Sequence, residues 1–130
     1  MIRKSLVCGV LVLMTGSVWA ASLDGTNWQV KVIPDPMTRK LGEHSFGDKL
    51  SFKNGKVTAS ECTKYGFGAS DYKTADAPNQ TSWDSTMTSA KEGNSKWIGE
   101  VKGNEIAGDM IWTKPGGHIF KYKFRGKKGA

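Results

Sequence analysis

A two-residue break, Asn54-Gly55, separates two short runs in which apolar and polar residues alternate, Lys49–Lys53 and Lys56–Ser60. Asn-Gly accepts positive φ at both central turn positions, which makes it a strong signal for a tight β-hairpin. A loop that short leaves no freedom of register. It sets Phe52 opposite Val57 and Leu50 opposite Ala59, and it turns Lys53, Ser51, Lys56 and Thr58 to the other face. Three further breaks obey the same logic. Gly103-Asn104 sets Val101 opposite Ile106, Gly99 opposite Gly108 and Trp97 opposite Met110. Pro115-Gly116-Gly117 sets Trp112 opposite Phe120, Met110 opposite Tyr122 and Gly108 opposite Phe124. A five-residue loop, Ala90–Asn94, sets Met87 opposite Trp97, Ser85 opposite Gly99 and Trp83 opposite Val101. In each hairpin the large apolar residues share one face, and a slip of one residue would destroy that agreement.

Such segments recur along the chain, and none shows the 3.6-residue period of a helix. The expected strands are Asn27–Ile33, Lys49–Lys53, Lys56–Ser60, Ala69–Thr74, Ser82–Ser89, Lys96–Lys102, Glu105–Thr113 and His118–Arg125. Ser60 to Gly66 reads as one helical turn, with Ser60 as its N-cap and Gly66 just past its end. Ala75–Gln80 reads as a polar loop around Pro78. Pro34–Gly47 reads as a longer loop, because its Pro-Asp-Pro opening prevents a strand from continuing.

The fold class is therefore all-β. Eight strands with one apolar face leave exposed edges as an open sheet, whereas closure of the first strand onto the last removes them. An eight-stranded antiparallel up-and-down barrel is expected, with a two-sheet sandwich as the competing architecture. A barrel of that size is filled by side chains or holds one small ligand. The expected inner list is Trp28, Val30, Val32, Leu50, Phe52, Val57, Ala59, Trp83, Met87, Trp97, Val101, Ile106, Met110, Trp112, Phe120, Tyr122 and Phe124. Ser85, Tyr122 and His118 are candidate partners for the polar tips of buried Trp and Tyr. Ser85, Gly99 and Gly108 are expected side by side, where either Phe124 fills the space or a cavity opens.

The ends and totals bound the setting. Arg3 and Lys4 precede an uncharged apolar run, Leu6 to Met14, and Val18 and Ala20 form a small-residue cleavage site. Residues 1–20 thus read as a signal peptide cut after Ala20, too short in its apolar run to serve as a transmembrane segment. The product is expected to be secreted or periplasmic. Removing residues 1–20 from the 130-residue chain leaves 110, enough for a single domain over residues 21–130. The full chain carries 19 Lys+Arg and 12 Asp+Glu; Arg3 and Lys4 leave with the leader, so 17 bases and 12 acids remain, a net charge of +5. The excess is concentrated in Lys114, Lys121, Lys123, Arg125, Lys127 and Lys128, with no acid after Asp109. After the leader only Cys62 remains, so no intrachain disulfide can form and the core must hold the fold.

LDGTNWQV, Leu23 to Val30, resembles the Gly-x-Trp opening of lipocalins and related calycin barrels, with one residue more between Gly25 and Trp28. FKNGKVTASECTKYGF, Phe52 to Phe67, and the hairpins from Trp83 to Arg125 are similar to small secreted bacterial lipocalin-like proteins. The resemblance covers most of the chain beyond the leader. It implies an up-and-down barrel that binds a small, often apolar, molecule. It also implies that a first-strand tryptophan packs at the closed end under a basic residue of the last strand. Trp28 matches the first role and Arg125 is the candidate for the second, although alternation along the strand turns Arg125 outward.

Little in the chain points to catalysis. His44 and His118 are isolated and lack further metal ligands at a useful spacing. Nothing in the spacing brings Cys62 to either histidine, and no nucleophile elbow, phosphate loop or dinucleotide fingerprint occurs. HIFKYKFRG, His118 to Gly126, alternates aromatics with cations. A strand sends these to opposite faces, so they cannot converge as a nucleic-acid platform. Lys123 is expected to pair with Asp109 on the outer face. No cofactor and no nucleic-acid partner are expected, and the protein is expected to be a monomer. The leading expectation is non-catalytic binding of a small apolar or amphiphilic ligand by Trp83, Ser85, Trp97, Met110, Trp112 and Tyr122. The alternative is a module with a packed core that meets a protein partner, such as an exported hydrolase inhibitor or a structural envelope protein. Its contact surface is then the Pro34–Gly47 loop or the Lys-rich end.

Overall fold

The structure, a computed structural model, describes residues 23–129. The leader expected over residues 1–20 and its cut after Ala20 lie outside the described residues. The strands are β1 (Asn27–Pro34), β2 (Phe46–Lys53), β3 (Lys56–Ala59), β4 (Ser70–Ala77), β5 (Gln80–Ser89), β6 (Gly93–Lys102), β7 (Glu105–Thr113) and β8 (Ile119–Lys128). A helical turn α1 (Pro36–Lys40) joins β1 to β2, and α2 (Ser60–Thr63) follows β3. Each strand pairs antiparallel with the next, and β1 pairs with β8 to close an eight-stranded barrel in chain order. This is the architecture that the resemblance to lipocalins implies, and closure excludes the sandwich.

The tight turns set register as their chemistry predicts. Phe52 faces Val57, Trp97 faces Met110, and Trp112 faces Phe120. On the outer face Lys123 Nζ reaches Asp109 at 2.9 Å, as expected. The β5–β6 hairpin differs. It closes over Ala90-Lys91-Glu92, three residues rather than five, with Ser89 paired to Gly93. Gly93 has φ +96, the left-handed conformation that ends a three-residue hairpin turn. The register moves by two residues, so each side chain keeps its face and changes its neighbour. Trp83 faces Gly99, Ser85 faces Trp97, and Met87 faces Ser95. The expected row of Ser85, Gly99 and Gly108 is thus replaced by Trp83, Gly99, Gly108 and Phe124. No gap opens there. A Cβ on Gly99 would stand 2.6 Å from Trp83 Nε1 and 2.9 Å from Phe124 Cζ, so the two rings fill the space over the glycines.

Two segments expected to be loops are ordered. β4 and β5 run on to a two-residue turn, Pro78-Asn79, where Ala77 pairs with Gln80. Ala75, Asp76 and Ala77 are all exposed, so this extension carries no alternation to read. In the Pro34–Gly47 segment, the Pro-Asp-Pro that stops β1 also starts α1. Asp35 accepts a hydrogen bond from Thr38 N at 2.8 Å, and Pro36 takes the first helical position, where no N–H is needed. Ser60 begins α2 rather than capping it. Asp48 of β2 serves instead, accepting from Glu61 N at 2.9 Å and from Ser60 Oγ at 3.0 Å.

The inner face is buried as expected, except that Val101 and Trp112 are only partly so. Leu23, Cys62, Phe67 and Tyr72 join it. Rings meet edge to face through the middle: Phe52 with Trp83 at 5.0 Å and Trp97 with Phe124 at 5.0 Å between centroids.

The mouth of the barrel as candidate functional site

In an up-and-down barrel alternate connections gather at the same end. Segment 23–26 and the turns at 54–55, 78–79 and 103–104 lie at one end; connections 35–45, 60–69, 90–92 and 114–118 lie at the other. The first end is plugged. Leu23 is buried, Gly25 N donates to Phe52 O at 2.7 Å, and Asp24 accepts from Tyr72 Oη at 2.6 Å and from Gly55 N at 3.0 Å. Trp28 is buried here, but its indole N–H donates to Thr26 Oγ1 at 2.9 Å. Arg125 pairs with Lys31 of β1 and is exposed on the outer wall, so it does not cover Trp28; the last-strand residue paired with Trp28 is Lys128.

The second end is the mouth, and it holds a cavity of about 440 Å³. Met110, Trp112 and Tyr122 reach it from β7 and β8, Phe46 from β2, Ser95 from β6, and Cys62 and Phe67 from the connection after β3. Phe67 lies edge-on to Trp112 at 6.4 Å, and Phe46 edge-on to Tyr122 at 6.1 Å. Glu43, Glu61, Tyr65, Glu92 and Lys114 complete the lining.

Polar tips in the mouth are mostly tied down. Trp112 Nε1 donates to Glu92 O at 2.6 Å, and Tyr122 Oη donates to Glu43 Oε1 at 2.6 Å. Burial raises the Tyr122 hydroxyl above its ordinary value, and the bond to Glu43 adds to that. Burial, and then the nearby charges of Asp48 and Glu61, push the Cys62 thiol up to about 12, so it stays protonated at neutral pH. A protonated, buried thiol is a weak nucleophile. Ser95 Oγ is the exception. It is 1% exposed and has no partner in hydrogen-bond geometry, although the Cys62 thiol is close enough to feel it.

The six residues singled out from the sequence divide between two places. Met110, Trp112 and Tyr122 line the mouth. Trp83, Ser85 and Trp97 sit in the packed interior. Ser85 Oγ donates to Asp71 O at 2.7 Å, and both tryptophans close on Phe124. The indole N–H groups of Trp83 and Trp97 are buried without a partner. His118 serves no buried tip; it is exposed, as is His44. Sequence reasoning missed Glu43, Phe46, Phe67, Glu92, Ser95 and Lys114. Ser95 was within reach, because it shares the parity of Trp97 and Gly99, and ending the turn at Gly93 extends the strand to include it. A larger depression, about 840 Å³, crosses the outer wall over Gly99 and Gly108. It is an open saddle edged by charged pairs such as Asp109–Lys123, and the mouth is the better site because its walls are aromatic and include the buried Phe67, Met110 and Tyr122. Comparison of the chain with protein-family models, with curated proteins and with solved structures gives no match.

Proposed function

We propose that this protein is a non-catalytic binding barrel that takes one small apolar or amphiphilic molecule at its mouth, working outside the cytoplasm as its leader implies. The supporting observation is the cavity itself: aromatic walls, a volume of about 440 Å³ within the range of small-molecule sites, and one buried hydroxyl without a partner. The protonated Cys62 and the exposed His44 and His118 offer no nucleophile–base pair, which favours binding over catalysis. Native mass spectrometry of protein purified from its own host tests the reading directly, because a retained ligand adds mass. A thermal-shift screen with fatty acids, quinones, haem and lipids complements it. A single unliganded mass together with no shift from any compound would refute the proposal.

A second reading, a protein-interaction module, draws on the outer surface of the same end. Met37, Leu41, Tyr65 and Ile119 are each more than half exposed, and all four lie on segments at the mouth. A pull-down with the full chain tests it, and capture that survives Met37→Ser/Leu41→Ser argues against this surface.

A further inference from the structure

The full chain carries a net charge of +7, yet its mouth is lined by carboxylates. Glu43, Glu61 and Glu92 stand there against one cation, Lys114. Lys114 is engaged on ring faces, its Nζ 4.9 Å from the Trp112 centroid and 5.3 Å from that of Phe120. Glu61 is held by Lys64 at 2.9 Å. Glu43 and Glu92 form no ion pair among the described residues. Glu43 accepts only the neutral Tyr122 hydroxyl, which leaves its charge uncompensated. Beside these carboxylates lies Ser95 Oγ, buried in the same lining and unpartnered.

We infer that the mouth selects a cationic amphiphile, an organic amine on an apolar body. The inference rests on the binding reading above and names the chemistry of the ligand. Of the free polar groups of the lining, the two carboxylates without ion pairs can only accept hydrogen bonds, and the Ser95 hydroxyl can accept as well as donate. An ammonium has three donors and no acceptor, so it complements that set. Aromatic faces attract cations, and Lys114 over Trp112 already uses this geometry. The apolar body takes the walls formed by Phe46, Phe67 and Met110. An anionic head would bring its charge against the carboxylates of Glu43 and Glu92. A wholly apolar ligand would leave Ser95 as it stands, buried and unpaired.

Three probes with the same body separate the possibilities: 4-phenylbutylamine, 4-phenylbutanol and 4-phenylbutyrate, titrated into the full chain by calorimetry and by tryptophan fluorescence. The amine is expected to bind about tenfold more tightly than the alcohol, equivalent to about 1.4 kcal/mol, and the carboxylate to bind weakest. Glu43→Gln keeps an acceptor for Tyr122, so it is expected to erase most of the amine's advantage over the alcohol. Glu92→Gln, at the rim, is expected to act in the same direction and provides a second variant should Glu43→Gln fold poorly. If the alcohol binds and the amine is no tighter, or if the carboxylate binds best, the inference is overturned and the binding reading stands. If none of the three binds, the inference is overturned, and native mass spectrometry with the thermal-shift screen decides the binding reading separately.

Discussion

Placing a methyl group on Gly99 probes the packing and the β5–β6 register together. In the observed register Gly99 faces Trp83, and an added Cβ would lie 2.6 Å from Trp83 Nε1, 2.8 Å from Cε2 and 2.9 Å from Phe124 Cζ. Each distance is roughly 0.5–1 Å short of ordinary carbon contact. Neither ring can step aside, because Trp83 is stacked edge-on to Phe52 and Phe124 is wedged against Trp97. Overpacking of this kind costs about 1–3 kcal/mol, and the lower chain entropy of alanine in the unfolded state returns up to about 1 kcal/mol. A net loss of about 1–2 kcal/mol is expected for Gly99→Ala, which lowers Tm by roughly 5–15 °C in a domain of this size. The assay is urea unfolding followed by circular dichroism, with a thermal melt alongside. Gly116→Ala is the control: its Cβ would meet nothing within 4 Å, so it should stay within about 0.5 kcal/mol of the parent. Adding Phe124→Leu should recover part of the loss, since the two sites share one space. In the alternative register Gly99 would face Ser85, and a methyl group there would fill a gap and stabilise. A Gly99→Ala protein as stable as the parent, or more so, would therefore refute both the contact and the register.

Other consequences are equally open to measurement. Burial raises the Asp48 carboxyl above its ordinary value of 3.8, against the downward pull of the Glu61 and Lys49 amides and the Ser60 hydroxyl. The folded protein thus keeps a proton that the unfolded chain has released. Stability from this group is present below pH 3.8 and is lost as pH rises through the folded value. Asp48→Asn carries no such proton, so its stability relative to the parent should improve between about pH 3 and pH 7 in denaturant titrations; a constant or worsening difference would contradict the assignment. Cys62, pushed up to about 12, should resist iodoacetamide at mildly alkaline pH in the folded state and react once urea unfolds the chain, as read by mass spectrometry of its peptide. Prompt alkylation of the native protein would show the thiol to be accessible. Tyr122→Phe removes the hydroxyl bonded to Glu43 and should cost about 1–2 kcal/mol, with coupling to Glu43→Gln in a double-mutant cycle. Additive effects would mean that the bond contributes nothing.

Much of the barrel was legible because its turns are chemically explicit. Asn54-Gly55, Gly103-Asn104 and Pro115-Gly116-Gly117 each permit one loop length, and each loop length permits one register. At the β5–β6 turn Gly93-Asn94 does not form a two-residue loop; Gly93 ends a three-residue turn instead. Both three and five residues keep the apolar face intact there, and periodicity cannot distinguish registers two residues apart. The end of β4 was illegible for another reason: it projects with both faces wet, and alternation appears only where one face is buried. The candidate site was legible by halves. Met110, Trp112 and Tyr122 could be placed from strand parity alone, whereas Glu43, Phe67, Glu92 and Lys114 come from connections between strands, where no period operates.

Strand number, inward and outward assignment and most pairings were determined by the sequence itself, because they follow from contacts between residues close along the chain. Closure of β1 on β8 was expected from the exposed edges and is borne out, whereas the plug of segment 23–26 at one end and the carboxylate-lined mouth at the other were decided only by the tertiary structure. These features join residues far apart in sequence, such as Asp24 with Tyr72 and Glu43 with Tyr122. The physical reason is that local pattern sets which way a side chain points, while its neighbour across the lumen depends on how the whole sheet curls.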